Sequence, residues 1–243
     1  MNKTVILASG GMDSYLAWYL YARDALNVFV NLGQPYAHKE KAALRNLGMA
    51  LRDFKWRAIT GPEWGQYELP SGIIPMRNAL LILMAAQYGN DIVMGVLEGE
   101  VNSDKSAEFM QAIGATMSIS GRGQYWNDYQ GTAYKVRSPI KDMSKTELVE
   151  EYLHCAGSVH NLLLTVSCYS GKGGKQCGAC PSCFKRWVAL TNCDIADEYD
   201  APPRAYGILK EYDRGSVAMR KANPHWSDKR IEEIVLAMSH PSA

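Results

Sequence analysis

The feature that most constrains this chain is a short apolar run, Thr4-Val5-Ile6-Leu7-Ala8, which stops at Ser9-Gly10-Gly11-Met12-Asp13-Ser14 and gives way to a helical pattern. The run has the length and composition of a buried parallel strand, and the paired glycines are turn residues. From Asp13 onward Leu16, Ala17, Leu20 and Tyr21 recur at helical spacing. The first element is therefore expected to be a central strand that feeds a helix through a tight turn.

The same alternation continues along the chain. Residues 26–32 form an apolar run that breaks at Gly33, residues 37–52 place Ala43, Leu44, Leu47 and Leu51 on one helical face, and residues 54–60 read as a strand. Pro75 is expected in the first turn of a helix running to about residue 88, where its missing N–H costs nothing, and residues 91–96 are the next buried strand. Further helices are expected over residues 103–115 and after Ser144, where Ser144 and Glu147 have the spacing of a capping box. The pattern predicts an α/β fold with a doubly wound, mainly parallel sheet. Residues 194–243 read as a mostly helical tail. Glycines punctuate residues 121–131 and 171–174, and no internal repeat is visible.

At 243 residues, 47% hydrophobic and 21% charged, the chain suits one domain with embellishments and no independent second domain. The formal charge of +1 gives no electrostatic footprint for nucleic acid or an anionic membrane. No apolar run approaches the roughly 20 residues of a membrane-spanning helix, and no leader precedes Thr4, so a cytoplasmic protein is expected. Four of the six cysteines fall between Cys168 and Cys183, and such clustering favours a metal over disulfides.

Glycines at the junction of a strand and a helix allow close backbone approach, and the amides of the helix start favour an anion, so phosphate is the expected guest. The turn has neither the Gly-Lys-Ser/Thr of a Walker loop nor the third glycine of a dinucleotide fingerprint. Asp13 reads either as a carboxylate close to magnesium or as a plain helix cap.

Cys168, Cys177, Cys180 and Cys183 are separated by eight, two and two residues, with Gly178 and Pro181 providing turns. Four thiolates suit tetrahedral zinc, and they also support an iron–sulfur cluster. With all four positions filled by protein, such a zinc is structural and pins the loop and a helix beginning near Phe184. Cys155 and Cys193 read as small apolar core residues.

The turn resembles the Ser-Gly-Gly-x-Asp-Ser signature of PP-loop ATP pyrophosphatases. Together with the cysteine spacing it resembles the 7-cyano-7-deazaguanine synthase (preQ0 synthase) family, from about residue 4 to about residue 190. Gly33-Gln34 with His38 and Glu40, Pro75-x-Arg77-Asn78, residues 91–96 and Arg137-Ser138-Pro139 fall in the family's order. Asn102-Ser103-Asp104-Lys105-Ser106 departs from the family's Tyr-Pro-Asp-Cys-Arg-like stretch, as a divergent or phage-encoded member would.

The resemblance implies a Rossmann-like core of the adenine nucleotide alpha hydrolase type over residues 1–160, a zinc-binding region over 161–193 with one structural Zn2+ per chain, and the helical tail over 194–243. It implies a queuosine-type ATP-dependent C–N ligase that takes ATP with Mg2+, 7-carboxy-7-deazaguanine and ammonia. Adenylation and displacement give an amide, and a second adenylation gives the nitrile, with AMP and pyrophosphate released. Ser9, Gly10, Gly11, Met12, Asp13 and Ser14 would hold ATP. Asp13, Arg77, Lys105, Arg137 and Lys141 are the catalytic candidates.

The bland readings are that Arg77 buttresses its helix, Lys105 is solvated, and Arg137 and Lys141 flank a strand end. His38 reads as a proton relay or a capping residue. Tyr125, Trp126, Tyr129 and Tyr134 read as a stacking surface for a flat substrate or as core. A homodimer is expected, with no membrane or nucleic-acid partner. The rival functions are another PP-loop enzyme, such as an amide-forming ligase or tRNA thiolase, and a zinc- and nucleotide-binding module without catalysis.

Overall fold

A computed structural model of the chain describes residues 3–70, 72–100, 103–121, 132–168, 170 and 176–240. By packing, the chain divides into two compact units, residues 1–142 and 143–243.

The first unit is built on five strands, β1 (Thr4–Leu7), β2 (Leu26–Asn31), β3 (Trp56–Thr60), β4 (Asp91–Val93) and β5 (Lys135–Arg137). They form one sheet in the order β3-β2-β1-β4-β5, with every neighbouring pair parallel. Helices α1 (Met12–Tyr21), α2 (Ala37–Ala50), α3 (Arg77–Ala85) and α4 (Ala107–Ser120) make the crossovers. Burial on both faces explains why the central strands read as mostly apolar runs: Val5, Ile6, Val28, Ile92 and Val93 have no exposed surface. On one side Ile82 and Ala85 of α3 and Met110 and Met117 of α4 complete the core. Elsewhere the Trp18 ring of α1 meets Phe54 edge-on, with centroids 4.8 Å apart.

The expected Rossmann-like α/β architecture is present, with shifts at element ends. Helix α3 begins at Arg77, because Met76 takes a left-handed conformation (φ 57°) and interrupts the chain after Pro75. Pro75 thus precedes the helix instead of opening it. Residues 103–105 form a short 3-10 turn, and α4 starts where Ser106 accepts from the Phe109 N–H at 3.0 Å. Strand β4 ends at Val93, although the Met94 N–H still donates to the Arg137 carbonyl.

The second unit is helical: α5 (Lys145–His154), α6 (Val159–Leu163), α7 (Pro181–Asn192), α8 (Pro203–Leu209), α9 (Ser216–Ala222) and α10 (Asp228–Ser239). The Ser144 capping box forms in both directions, Glu147 N–H to Ser144 Oγ at 3.2 Å and Ser144 N–H to Glu147 Oε2 at 2.8 Å. Helix α7 packs against α5, α8 and α10. Phe184, Trp187 and Val188 of α7 share a core with Met219, Ile231, Ile234 and Met238. The tail is therefore the other half of the core that covers α7.

Candidate active site and metal centre

In a doubly wound sheet, ligands bind outside the carboxyl ends of the strands where the chain order reverses. Here that point lies between β1 and β4, since β2 and β3 extend one edge and β4 and β5 the other. The turn of Ser9 to Ser14 leaves β1 at this point. Gly10 has φ 70°, and a Cβ there would lie 2.6 Å from the Glu40 carbonyl oxygen and 3.0 Å from the Ala43 Cβ. Glycine is thus required twice at this position, for its backbone conformation and for the approach of α2. Gly11 stands before the first turn of α1, its N–H donating to Ser9 Oγ at 3.3 Å, while the Ser14 hydroxyl donates to the Gly11 carbonyl at 3.1 Å. The result is a compact glycine turn at a helix start, with the Asp13 carboxylate in the first turn.

From β4 the backbone of Gly95 closes on the same helix start. A Cβ at Gly95 would come within 3.0 Å of the Ser14 nitrogen. The adjoining Val96 N–H donates to Ser138 Oγ at 3.3 Å, and that hydroxyl donates to the Val96 carbonyl at 2.8 Å, so Ser138 holds the chains leaving β4 and β5 together. A glycine inside an otherwise apolar strand pattern signals close backbone approach, and Gly95 is a residue sequence reasoning passed over.

The other predicted residues are each held by partners outside the turn. Arg77 Nη1 donates to the hydroxyl of buried Tyr36 at 3.3 Å. Burial pushes the Tyr36 phenol up, against the pull of the Arg77 charge. Gln34 joins β2 to α2: its side-chain oxygen accepts from the Leu32 N–H at 2.8 Å, and its amide donates to the buried Glu40 carboxylate at 3.1 Å. Asn78 donates to the Asp104 carbonyl at 3.5 Å, connecting the start of α3 with residues 103–105. Lys105 pairs with Glu100 at 3.2 Å, and Lys141 with Asp142 at 2.7 Å. His38 makes a 3.0 Å contact from Nδ1 to the Pro35 carbonyl, a local contact at the start of α2.

Arg137 lies elsewhere. Its guanidinium donates through Nε and Nη2 to both oxygens of Asp91 at 2.8 Å, and Thr4 Oγ1 donates to the same carboxylate at 3.0 Å. Arg137 is the last residue of β5, in register with Val93, but Thr4 and Asp91 are the first residues of β1 and β4, so its guanidinium is turned back toward the amino ends of the strands. Tyr134 packs on the apolar core between α3 and α4. Tyr125, Trp126, Tyr129 and Asn102 lie outside the described residues.

In the second unit the sulfurs of Cys168, Cys177, Cys180 and Cys183 all lie within 4.8 Å of one another. A zinc held at about 2.3 Å by four tetrahedral thiolates needs sulfurs about 3.8 Å apart, and Cys177 and Cys183 are already at 3.7 Å. Backbone N–H groups point at the sulfurs as they do around bound thiolates. Ser170 and Cys177 donate to Cys168 Sγ at 3.2 and 3.4 Å, and Cys183 donates to Cys180 Sγ at 3.4 Å. The Cys180 thiol is held down to about 5, chiefly because Cys183 donates to it, and Cys183 is pushed up in return. The donor set fits a four-coordinate soft metal with no position left for water. Pro181 opens α7 directly behind Cys180, so the helix starts three residues earlier than expected. Gly178 (φ 74°) lies so close to Ala201 that no side chain fits. Cys155 is exposed and does not fill a core, and burial pushes the half-buried Cys193 thiol up to about 12.

A doubly wound parallel sheet with a Ser-Gly-Gly-x-Asp-Ser turn at its switch point defines the PP-loop class. Within that class, the family model described as queuosine biosynthesis protein QueC matches residues 50–194, and the chain belongs to this family. The 7-cyano-7-deazaguanine synthase of Chlorobaculum parvum is 28% identical over 236 residues, covering 83% of this chain and 98% of that protein. The enzyme of the same name from Stenotrophomonas maltophilia is 27% identical over 223 residues, covering 81% and 98%. Among solved structures, the U34-tRNA thiolase NcsA of Methanococcus maripaludis, with its [4Fe-4S] cluster, aligns at a TM-score of 0.39 and 13% identity. That alignment covers 64% of this chain and 56% of the thiolase, a likeness too loose to argue from. No described helix is long and apolar enough to cross a membrane.

Proposed function

We propose that the protein converts 7-carboxy-7-deazaguanine and ammonia to 7-cyano-7-deazaguanine at the expense of ATP, releasing AMP and pyrophosphate. The observation that carries this reading is the glycine turn before α1 at the β1–β4 switch point in a chain of this family. A carboxylate resists ammonia because its oxygen is a poor leaving group. Transfer of adenylate to that oxygen makes AMP the leaving group, and ammonia then gives the amide. A second adenylation, on the amide oxygen, allows loss of AMP to the nitrile.

The chain's part is positioning and charge stabilisation. Ser9, Gly10, Gly11, Met12, Asp13 and Ser14 hold the phosphates through backbone and hydroxyl donors, Asp13 would hold the magnesium that accompanies ATP, and Arg77 and Lys105 supply positive charge. Magnesium bound with ATP would neutralise charge on the phosphates. Lys141 remains a weaker candidate, and the geometry of Arg137 supports a bracing role instead. His38, tied to its own turn, is read as a capping residue.

Four thiolates without an open position favour one structural Zn2+ per chain. Functionally, residues 1–160 form the catalytic core, 161–193 the metal region and 194–243 its covering tail, a division that cuts across the packing units. A cytoplasmic homodimer completes the reading, on the strength of the family resemblance.

The test is turnover by zinc-loaded protein with magnesium-ATP, ammonium and 7-carboxy-7-deazaguanine, following AMP and product mass. Nitrile with two AMP per product is expected, and Asp13→Ala should abolish AMP release. Amide as the end product would restrict the function to the first activation, and no AMP would overturn the proposed substrate.

A further inference from the structure

Arg186 is a cation with no exposed surface, three residues beyond Cys183 on α7. A buried guanidinium is costly unless its donors are met. Two of them are: Nε donates to Asp197 Oδ2 at 2.6 Å and Nη1 to Thr165 Oγ1 at 2.7 Å. One partner lies in the segment that carries Cys168, and the other in a segment that pairs with Gln176 and Cys177. Thr165 lies three residues before Cys168 and is itself tied to the Leu162 carbonyl at 2.6 Å. Asp197 accepts from the Glu198 N–H at 2.9 Å, the Glu198 carbonyl accepts from the Gln176 N–H at 3.3 Å, and the Ala201 N–H donates to the Cys177 carbonyl at 3.2 Å. The Gln176 side chain closes the ring by accepting from the Ser167 N–H at 3.3 Å.

We propose that Arg186 is a positioning residue of the four-cysteine centre, clamping the segment that brings in Cys168 and the segment that pairs with Cys177 against the helix that carries Cys183. Cys168 and Cys177 are separated by eight residues, so the local turn that brings Cys177, Cys180 and Cys183 together does not place Cys168. The fork of Arg186 does, because it holds Thr165 and Asp197 at once. A lysine has one ammonium for the same two partners and lacks the planar fork. The centre also holds the strand-like bridge between Gln176 and Tyr199, and with it the chain that leads into α8.

The test is metal retention, which does not depend on the proposed reaction. The full chain is loaded with zinc, challenged with a chromogenic chelator, and its release rate is compared among variants. Cobalt substitution reports whether four thiolates still bind. Outer partners of metal ligands typically account for about 10–100-fold in affinity, so Arg186→Met should release zinc about 10–100-fold faster, with the cobalt spectrum still that of a four-thiolate site. Asp197→Asn, which preserves shape, should accelerate release at least about threefold and serves if Arg186→Met does not fold. Ile231→Ala, in the helical core of the same unit, should lower Tm while leaving the release rate unchanged. Release from the folded Arg186 or Asp197 variant at the wild-type rate, or no faster than from Ile231→Ala at equal loss of Tm, would overturn the assignment.

Discussion

Replacing Gly10 with alanine isolates the contact that shapes the phosphate turn. Two costs add. An L-residue at φ 70° is strained by about 1–2 kcal/mol, and its Cβ would stand 2.6 Å from the Glu40 carbonyl oxygen. That oxygen belongs to helix backbone and cannot rotate away, so the turn and α2 must separate by roughly half an ångström, an overpacking cost of about 1–3 kcal/mol. The sum, about 2–5 kcal/mol, lowers Tm by roughly 4–20 °C for a protein of this size. The displacement also moves the donors proposed to meet ATP, and shifts of about 1 Å in such sites cost around a hundredfold in rate. Gly99→Ala is the control: Gly99 has φ 73° and nothing within 4 Å of an added Cβ, so it carries the backbone cost alone. Thermal unfolding, ATP binding by calorimetry and AMP release from both variants decide the matter. Gly10→Ala should lose both stability and ATP affinity, and Gly99→Ala only about 1–2 kcal/mol of stability. Equal losses of Tm with ATP affinity intact in both would refute the claim that the α2 contact sets the turn.

Two further outcomes follow from the packing. Arg137 holds the Asp91 carboxyl below the usual range, first by direct hydrogen bonds, with Thr4 adding to it. A depressed carboxyl contributes stability that is present above its unfolded value near 3.9 and is lost as pH falls through its folded value. Arg137→Met should therefore cost about 1–2 kcal/mol at pH 7, with the deficit shrinking below about pH 4 in urea titrations. Stripping the metal with a strong chelator should release one zinc per chain and lower the Tm of the unit formed by residues 143–243, because the same bonds that seat the cysteines tie residues 197–201 to Gln176 and Cys177; an unchanged Tm after complete removal would refute the structural role.

The strands were legible because both faces of a parallel sheet are buried, which leaves mostly apolar runs such as residues 4–8 and 26–32. The capping box at Ser144 was legible because both of its bonds are local in sequence. The start of α3 was not, since a left-handed Met76 carries no local signal. The part played by Arg137 was not legible either, because its partner Asp91 is distant along the chain and meets it only through the register of β4 with β5.

By itself the sequence determined the chemistry on offer: a glycine turn after the first strand with a carboxylate in the following helix, and four thiolates at metal-binding spacing. Local backbone preferences and ligand type settle such features, and both are written in short stretches of chain. Tertiary structure alone decided which groups meet there. It set Gly95 against the start of α1, Tyr36 against Arg77, and the Arg186 fork between Thr165 and Asp197. It also made the tail the second half of the core around α7. Each of these depends on segments far apart in sequence, whose meeting is fixed only when the sheet order closes and the apolar faces are buried together.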